Sequence, residues 1–138
     1  MEAYVTLPAK LDSLSPLAQW LAQQMAPLPV SEEWRYSLDL AVCEAASNVI
    51  RHALGELSHC RFTVTFTRLV DGVQVRLADT GRPMPETALQ RAQNKIGRDT
   101  EMDAEGGRGL MLILQCVDSF LVERRNGENQ TTLVKRLK

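Results

Sequence analysis

The sequence lacks three features that would each point to a class of function. Its 16 basic and 17 acidic residues leave a net charge of -1, so no overall positive field draws the chain to nucleic acid or to anionic lipid. It contains no run of about 18 apolar residues, and its first residues lack the basic-then-apolar order of a signal peptide. We therefore expect a cytoplasmic protein with no direct nucleic-acid partner and no membrane partner.

Cysteine is also scarce, and the cysteines that are present show no pairing pattern. Cys43, Cys60 and Cys116 are an odd number, lie far apart, and include no Cys-x-x-Cys spacing. This favours small reduced core residues over disulfide, metal or redox chemistry. Neither His52 nor His59 has a second ligand at the spacing of a zinc site.

The length and the hydrophobic periodicity together predict one domain of mixed structure. A chain of 138 residues is about the size of one ordinary domain. Apolar spacing predicts, in chain order, a strand at 3–7, helices at 11–25 and 31–54, two strands on either side of residues 71–72, a polar loop at 82–109, a buried helix at 110–118, and two final strands separated by a turn at 126–129. We therefore expect an α+β fold spanning residues 1–138, a two-layer α/β sandwich with helices on one face of a mostly antiparallel sheet.

Local signals mark where several of these elements begin and end. Ser31, followed by acidic residues, is typical of a helix N-cap, and Gly55 is typical of the position just past a helix. Asp71-Gly72 between two alternating stretches predicts the turn of an antiparallel hairpin. The sheet face away from the helices should be polar or should pack against a partner.

The helix at 31–54 carries a polar column beside its apolar stripe. Glu44, Asn48 and His52 stand four residues apart, so they share one side of the helix. A plain solvated face would explain this pattern. However, the small residues around Glu44 leave room for a bulky group, and a carboxylate and an amide oxygen one turn apart suit Mg²⁺ binding or general-base chemistry. His52 continues the column and could reach a phosphate.

Two further stretches predict a nucleotide site. In "LADTGRP" an apolar strand ends at Asp79, which either belongs to a simple turn or accepts a hydrogen bond from an exocyclic amine such as that of adenine, while Gly81 allows close backbone approach. In "EGGRGLMLI" three glycines surround Arg108 at the start of a helix, where amide groups suit a phosphate chain. This second stretch lacks the Lys-Ser/Thr of a P-loop, so by itself it does not specify a nucleotide site.

The order "EAASNVIRHA", "DTG", "GGRGL" and a final "TTLVK" strand resembles the GHKL ATPases, which include gyrase, chaperone, histidine kinase and mismatch-repair ATPases. Within that superfamily the chain is most similar to the anti-sigma-factor serine kinases of bacterial partner-switching systems, and the resemblance covers nearly its whole length. It implies the Bergerat-type ATP-binding fold, with ATP and Mg²⁺ as ligands and an ATP lid at about 84–105.

The resemblance also implies a role for each matching position. Glu44 matches the general base and Asn48 the Mg²⁺ ligand, whereas Asp79 matches the adenine-reading aspartate and Gly81 the glycine beneath the purine. The remaining nucleotide-binding positions are Gly107, Arg108, Gly109, Leu110 and Thr131. Thr132 could take the place of Thr131, and Arg108 could face either the phosphates or a partner protein.

By the same resemblance the chain is expected to be an ATP-dependent protein serine kinase. Its substrate would be a small anti-anti-sigma protein, its sequestered target a sigma factor or another protein, and its assembly a homodimer. Two departures from the family pattern, Pro83 in the first glycine box and Ala104-Glu105 before the second, leave open a sequestering module that binds nucleotide without transferring phosphate. The sequence is also compatible with a catalytic domain that passes phosphate to histidine, and with a plain α+β domain without this chemistry.

Overall fold

The computed structural model describes residues 2–83 and 107–138, which form helices and strands in the predicted order. The regular elements are β1 (Glu2–Pro8), α1 (Leu14–Met25), α2 (Glu32–Asn48), β2 (Arg61–Arg68), β3 (Gly72–Asp79), α3 (Gly107–Cys116), β4 (Ser119–Arg125) and β5 (Glu128–Arg136). A 3₁₀ turn at Leu11–Ser13 leads into α1, and a π-helical turn at Val49–Ala53 continues α2.

The strands form one sheet in the order β1-β2-β3-β5-β4, and each neighbouring pair is antiparallel. Strand residues alternate between the two faces because the side-chain period of a strand is two. Phe62, Val64 and Phe66 of β2 face the helices and are buried, whereas the threonines between them face outward. The expected α+β sandwich, with helices on one face of an antiparallel sheet, is confirmed.

The core lies between the sheet and helices α1, α2 and α3 of the described residues. Each helix contributes an apolar stripe at helical spacing, for example Leu17 and Leu21 of α1, Leu38 and Val42 of α2, and Ile113 of α3, all fully buried. Burying one such aliphatic side chain contributes roughly 1.5–3 kcal/mol. These stripes hold α2 and α3 against the sheet, and thereby fix the ends that carry the predicted site.

Polar contacts also tie the helices to β5. The indole Nε1 of Trp34 donates to the carbonyl oxygen of Arg136 at 2.6 Å, and the Lys135 ammonium lies 5.7 Å from the centroid of the Trp34 ring. The same ammonium donates to the carbonyl oxygen of Cys116 at 2.6 Å, at the end of α3 where a cation is favoured. One lysine therefore contacts both α2 and α3.

The predicted limits of the helical region at 31–54 hold for α2 and the π-helical turn taken together, whereas the position of the hairpin turn needs correction. Ser31 caps α2, because its hydroxyl accepts from the Trp34 amide at 3.1 Å, and Gly55 adopts a φ of 61° just beyond the helical residues. The hairpin between β2 and β3 forms as predicted, but its loop is residues 69–71. Gly72 is the first residue of β3 and pairs with Arg136. A Cβ there would lie 2.6 Å from the Lys135 carbonyl oxygen, so close strand packing explains this glycine.

Candidate functional site

The column on α2 meets the start of α3. A Cβ built on Gly109 would lie 2.9 Å from Glu44 Oε2 and 3.8 Å from both polar side-chain atoms of Asn48. Leu110, the next residue, is 4% exposed and belongs to the core, so it anchors this end of α3. Four of the predicted site residues, Glu44, Asn48, Gly109 and Leu110, are therefore neighbours. A carboxylate beside a helix N-terminus is favoured by the helix dipole.

The α-helical geometry of α2 ends at Asn48, where the chain widens into a π-turn. The Leu54 amide donates to the Val49 carbonyl oxygen five residues earlier at 2.9 Å. Sequence spacing predicts a regular helix to Leu54, in which His52 would lie directly above Asn48. The wider turn changes that alignment, because π-helical bonding takes more residues per turn, and the His52 side chain is exposed. The prediction that Glu44, Asn48 and His52 form one regular column is therefore wrong beyond Asn48.

Asp79 lies at the end of the central strand β3 and is only 4% exposed. Its Oδ1 accepts hydrogen bonds from the Gly81 amide at 2.8 Å and from Asn129 Nδ2 at 2.9 Å. Burial raises the pKa of Asp79, and the two hydrogen bonds and the charge of Arg124 partly oppose that rise. Both of these hydrogen bonds from described residues are accepted by Oδ1 and neither by Oδ2.

The turn after Asp79 packs against the π-turn. A Cβ on Gly81 would overlap the Ala53 carbonyl oxygen and would lie 2.5 Å from the Ala53 carbonyl carbon. The Arg82 amide donates to the same carbonyl oxygen at 2.8 Å, and Arg82 Nε donates to the His52 carbonyl oxygen at 3.1 Å. Helix C-termini leave such carbonyl groups without helical partners, and here the turn at 81–82 satisfies two of them.

A further polar group at this site, Asn129 with Arg124, is not evident from the motifs in the sequence. Besides its bond to Asp79, Asn129 Nδ2 lies 2.9 Å from the Arg82 carbonyl oxygen and 3.2 Å from that of Gly81. Arg124 Nη1 donates to Asn129 Oδ1 at 2.7 Å and to the Gly81 carbonyl oxygen at 2.9 Å. Strand parity is the signal that could have revealed Asn129, because it stands two residues before Thr131 and so shares its face.

The sheet register separates the two candidate threonines on β5. Thr131 pairs with Leu77, and Asn129 pairs with Asp79, so Thr131 is 6% exposed on the face that carries Asp79. Thr132 points to the opposite face, where its hydroxyl accepts from Arg76 Nε at 3.3 Å. Of the two, only Thr131 lies on the side of the predicted adenine pocket.

Some predicted features fall outside the part of the chain that the structure describes. The lid at 84–105, with Ala104-Glu105, lies outside the described residues, and so does the side chain of Arg108. Helix α3 begins at Gly107, which puts the "GGRGL" stretch at a helix start as expected. The nucleotide-binding roles of all these residues stay predictions.

Comparison with known proteins identifies the class of protein that this fold and site define. The model of the histidine kinase-like ATPase domain family matches residues 7–135. The chain therefore belongs to that family, and membership of an ATPase family implies ATP binding. Within the described residues, no helix is long and apolar enough to cross a membrane.

The particular relatives are serine-protein kinases. The chain is 32% identical to the serine-protein kinase RsbW of Listeria monocytogenes over 114 residues. These aligned residues are 81% of this chain and 73% of that protein. It is 26% identical to the serine/threonine-protein kinase BtrW of Bordetella bronchiseptica over 133 residues, and this alignment covers 96% of this chain and 89% of BtrW. A crystal structure of the RsbU and RsbW domains of a Mycobacterium tuberculosis protein has the same fold, with a TM-score of 0.70 at 16% identity, over 99% of this chain and 32% of that one.

Proposed function

We propose that this protein is a cytoplasmic, ATP-dependent serine kinase that acts as an anti-sigma factor in a partner-switching system. The observation that carries the proposal is the meeting of Glu44 and Asn48 with Gly109 at the start of α3. The kinase names of the similar proteins RsbW and BtrW support the reaction class.

Asp79 and Thr131 would form the adenine end of the site. Both are buried on the helix-facing side of the sheet, Asp79 as the last residue of β3 and Thr131 near the start of β5, opposite Leu77. With Oδ1 of Asp79 engaged by Asn129 and Gly81, Oδ2 is the oxygen that would accept the exocyclic amine. A carboxylate accepts such a bond only when ionised at that oxygen, so the bond also selects the charged form.

Glu44 and Asn48 would form the phosphate end of the site. Their oxygen ligands fit Mg²⁺, and the glycine opposite them leaves a cradle that a Cβ would fill. Mg²⁺, when bound, supplies charge neutralisation at the phosphates. Asn48 would hold that metal through its amide oxygen, and the amide groups at the start of α3 would face the phosphate chain.

In the transfer step, the serine hydroxyl of the partner protein would attack the γ-phosphorus of ATP. The new O–P bond forms as the bond from the γ-phosphorus to the bridging oxygen of ADP breaks, and the serine proton passes to a Glu44 carboxylate oxygen. Phosphoryl transfer depends mainly on positioning and charge neutralisation. A small set of polar side chains is therefore sufficient.

The substrate would be a small anti-anti-sigma protein, and its unphosphorylated form would compete with a sigma factor or another sequestered target for the kinase. We also propose that the kinase works as a homodimer. These partner assignments rest on the family resemblance.

The test is phosphorylation of an anti-anti-sigma protein with labelled ATP. Glu44→Gln keeps the size of the side chain but removes the base, so transfer should fall by about 100-fold or more, a typical general-base contribution, while ATP binding by calorimetry is unchanged. Glu33→Gln, an exposed position in the first turn of the same helix, is the matched control and should transfer normally.

Two outcomes would overturn parts of the proposal. Full transfer by Glu44→Gln would remove Glu44 from the base role. The other outcome is that the unmodified protein binds ATP and captures an anti-anti-sigma partner without transferring phosphate to it. That result would support a nucleotide-binding sequestering module.

A further inference from the structure

Asn129 joins three separate parts of the predicted adenine pocket. It lies on β5, is 4% exposed, and donates to the Asp79 carboxylate at the end of β3. The same Nδ2 faces the carbonyl oxygens of Gly81 and Arg82 in the turn that follows. A buried amide with this many partners holds the strand end and the turn in one arrangement.

The surroundings of Asn129 allow only one orientation of its amide. On the Nδ2 side stand three acceptors, Asp79 Oδ1 and the carbonyl oxygens of Gly81 and Arg82. On the Oδ1 side stands the Arg124 guanidinium, which can only donate, at 2.7 Å. A flipped amide would set an oxygen against three acceptors and an NH₂ group against a cation, so the assignment follows from the network.

This arrangement fixes which oxygen of Asp79 is engaged. Oδ1 receives Nδ2 of Asn129 and the Gly81 amide, and these two bonds come from different elements. Rotation of the carboxylate would break both. The second oxygen is therefore held in one direction, as specific recognition of a single ligand amine requires.

We propose that Asn129, held by Arg124, is the positioning residue that sets adenine specificity at this site. Asn129 acts through Asp79 and does not touch the base itself. The proposal rests on the proposed function, because it takes Asp79 as the group that reads the exocyclic amine.

The experiment compares two ligands that differ only in that amine. ATP and purine riboside triphosphate, which lacks the 6-amino group, are titrated into the protein by calorimetry. For the unmodified protein we expect ATP to bind about tenfold more tightly or better, the size of a hydrogen bond to a charged group. For Asn129→Leu we expect the ratio to fall below about threefold, through weaker ATP binding and unchanged binding of the analogue.

A second variant and a control separate positioning from a general loss of structure. Arg124→Met removes the exposed cation that holds the Asn129 amide but keeps Asn129, so the ratio should fall by a smaller factor than in Asn129→Leu. Gln130→Ala changes the next residue of β5, whose side chain lies on the opposite face and contacts Glu128, and should keep the full ratio. Circular dichroism and thermal unfolding establish that each variant is folded.

The outcomes distinguish this inference from the proposed function. If the unmodified protein binds both ligands equally, Asp79 does not read adenine and the proposed site itself fails. If the unmodified protein discriminates and folded Asn129→Leu discriminates equally well, the positioning role of Asn129 is refuted. If Asn129→Leu does not fold, an undiminished ratio in Arg124→Met refutes the role, and a reduced ratio supports it.

Discussion

The contact between Gly81 and the π-turn makes a sharp prediction for Gly81→Ala. The new methyl group would lie 2.5 Å from the Ala53 carbonyl carbon and 2.9 Å from Leu54 Cδ2, whereas ordinary contact begins at 3.4 Å. The first of these atoms is backbone and cannot rotate away. The turn at 81–82 must therefore retreat by about 0.9 Å, the difference between the 3.4 Å of ordinary contact and the 2.5 Å to the Ala53 carbonyl carbon.

That retreat sets the size of the effect. It would lengthen the bond from the Arg82 amide to the Ala53 carbonyl oxygen from 2.8 Å to roughly 3.7 Å, which is too long for a hydrogen bond. One lost hydrogen bond costs about 0.5–1.5 kcal/mol, and forced overpacking costs about 1–3 kcal/mol. We expect Gly81→Ala to lower the free energy of unfolding by about 2–4 kcal/mol.

Urea denaturation measures this loss, and Gly55→Ala is the matched control. Gly55 has a φ of 61° with no atom within 4 Å of a built Cβ, so its substitution carries only the left-handed backbone cost of roughly 1–2 kcal/mol. Calorimetry should show weaker ATP binding by folded Gly81→Ala only, because Asp79 bonds to the displaced Gly81 amide. A Gly81→Ala protein no less stable than Gly55→Ala, with normal ATP affinity, would refute the steric argument.

Two further predictions concern buried titratable groups. Burial holds the pKa of Asp79 above its ordinary 3.8, so the stability contributed by its protonation is fully present below that pH and is lost as the pH rises through the folded-state pKa. Asp79→Asn keeps an oxygen that can accept from Asn129 and Gly81. The variant should flatten the pH dependence of urea unfolding just above pH 3.8, and its ATP affinity should fall. An unchanged pH dependence of the free energy of unfolding would contradict the raised pKa of Asp79. Burial, assisted by the Asp39 carboxylate, raises the pKa of the Cys43 thiol to about 12. Iodoacetamide at pH 8 should therefore modify Cys43 only after denaturation, since about one thiol in 10⁴ is ionised, and rapid labelling of the native protein in a peptide map would show this reasoning to be wrong.

The order of elements could be predicted from the sequence because hydrophobic period and cap residues act locally. Ser31 and Gly55 mark the limits of the α2 region through their own hydrogen bonding and φ. The hairpin that Asp71-Gly72 predicts is confirmed, but its loop is residues 69–71, and Gly72 is already the first residue of β3. The actual constraint on this glycine comes from Lys135 on a strand more than sixty residues later, and local sequence patterns cannot reveal such a contact.

Residues of the candidate site could be predicted where the residue type itself limits the chemistry. They could not be predicted where only the three-dimensional arrangement gives a residue its role. Glu44, Asn48 and Asp79 stand out because polar groups rarely accompany a buried stripe or end a buried strand without a reason. Asn129 does not stand out, because asparagine close to "NG" resembles an ordinary turn residue. Only the register that pairs it with Asp79 gives it a role.

The π-turn at Val49–Ala53 has a consequence for how this region can vary. A π-turn is an α-helix that accommodates one additional residue, so it depends on the number of residues in the segment more than on their identity. Replacement of exposed side chains such as Arg51 would not change the number of residues in the segment. The two carbonyl groups that accept hydrogen bonds from Arg82 would therefore stay in place. Removal of one residue would return the segment to regular helix and withdraw those acceptors, so we expect homologous chains to conserve the length of this segment more strictly than its composition.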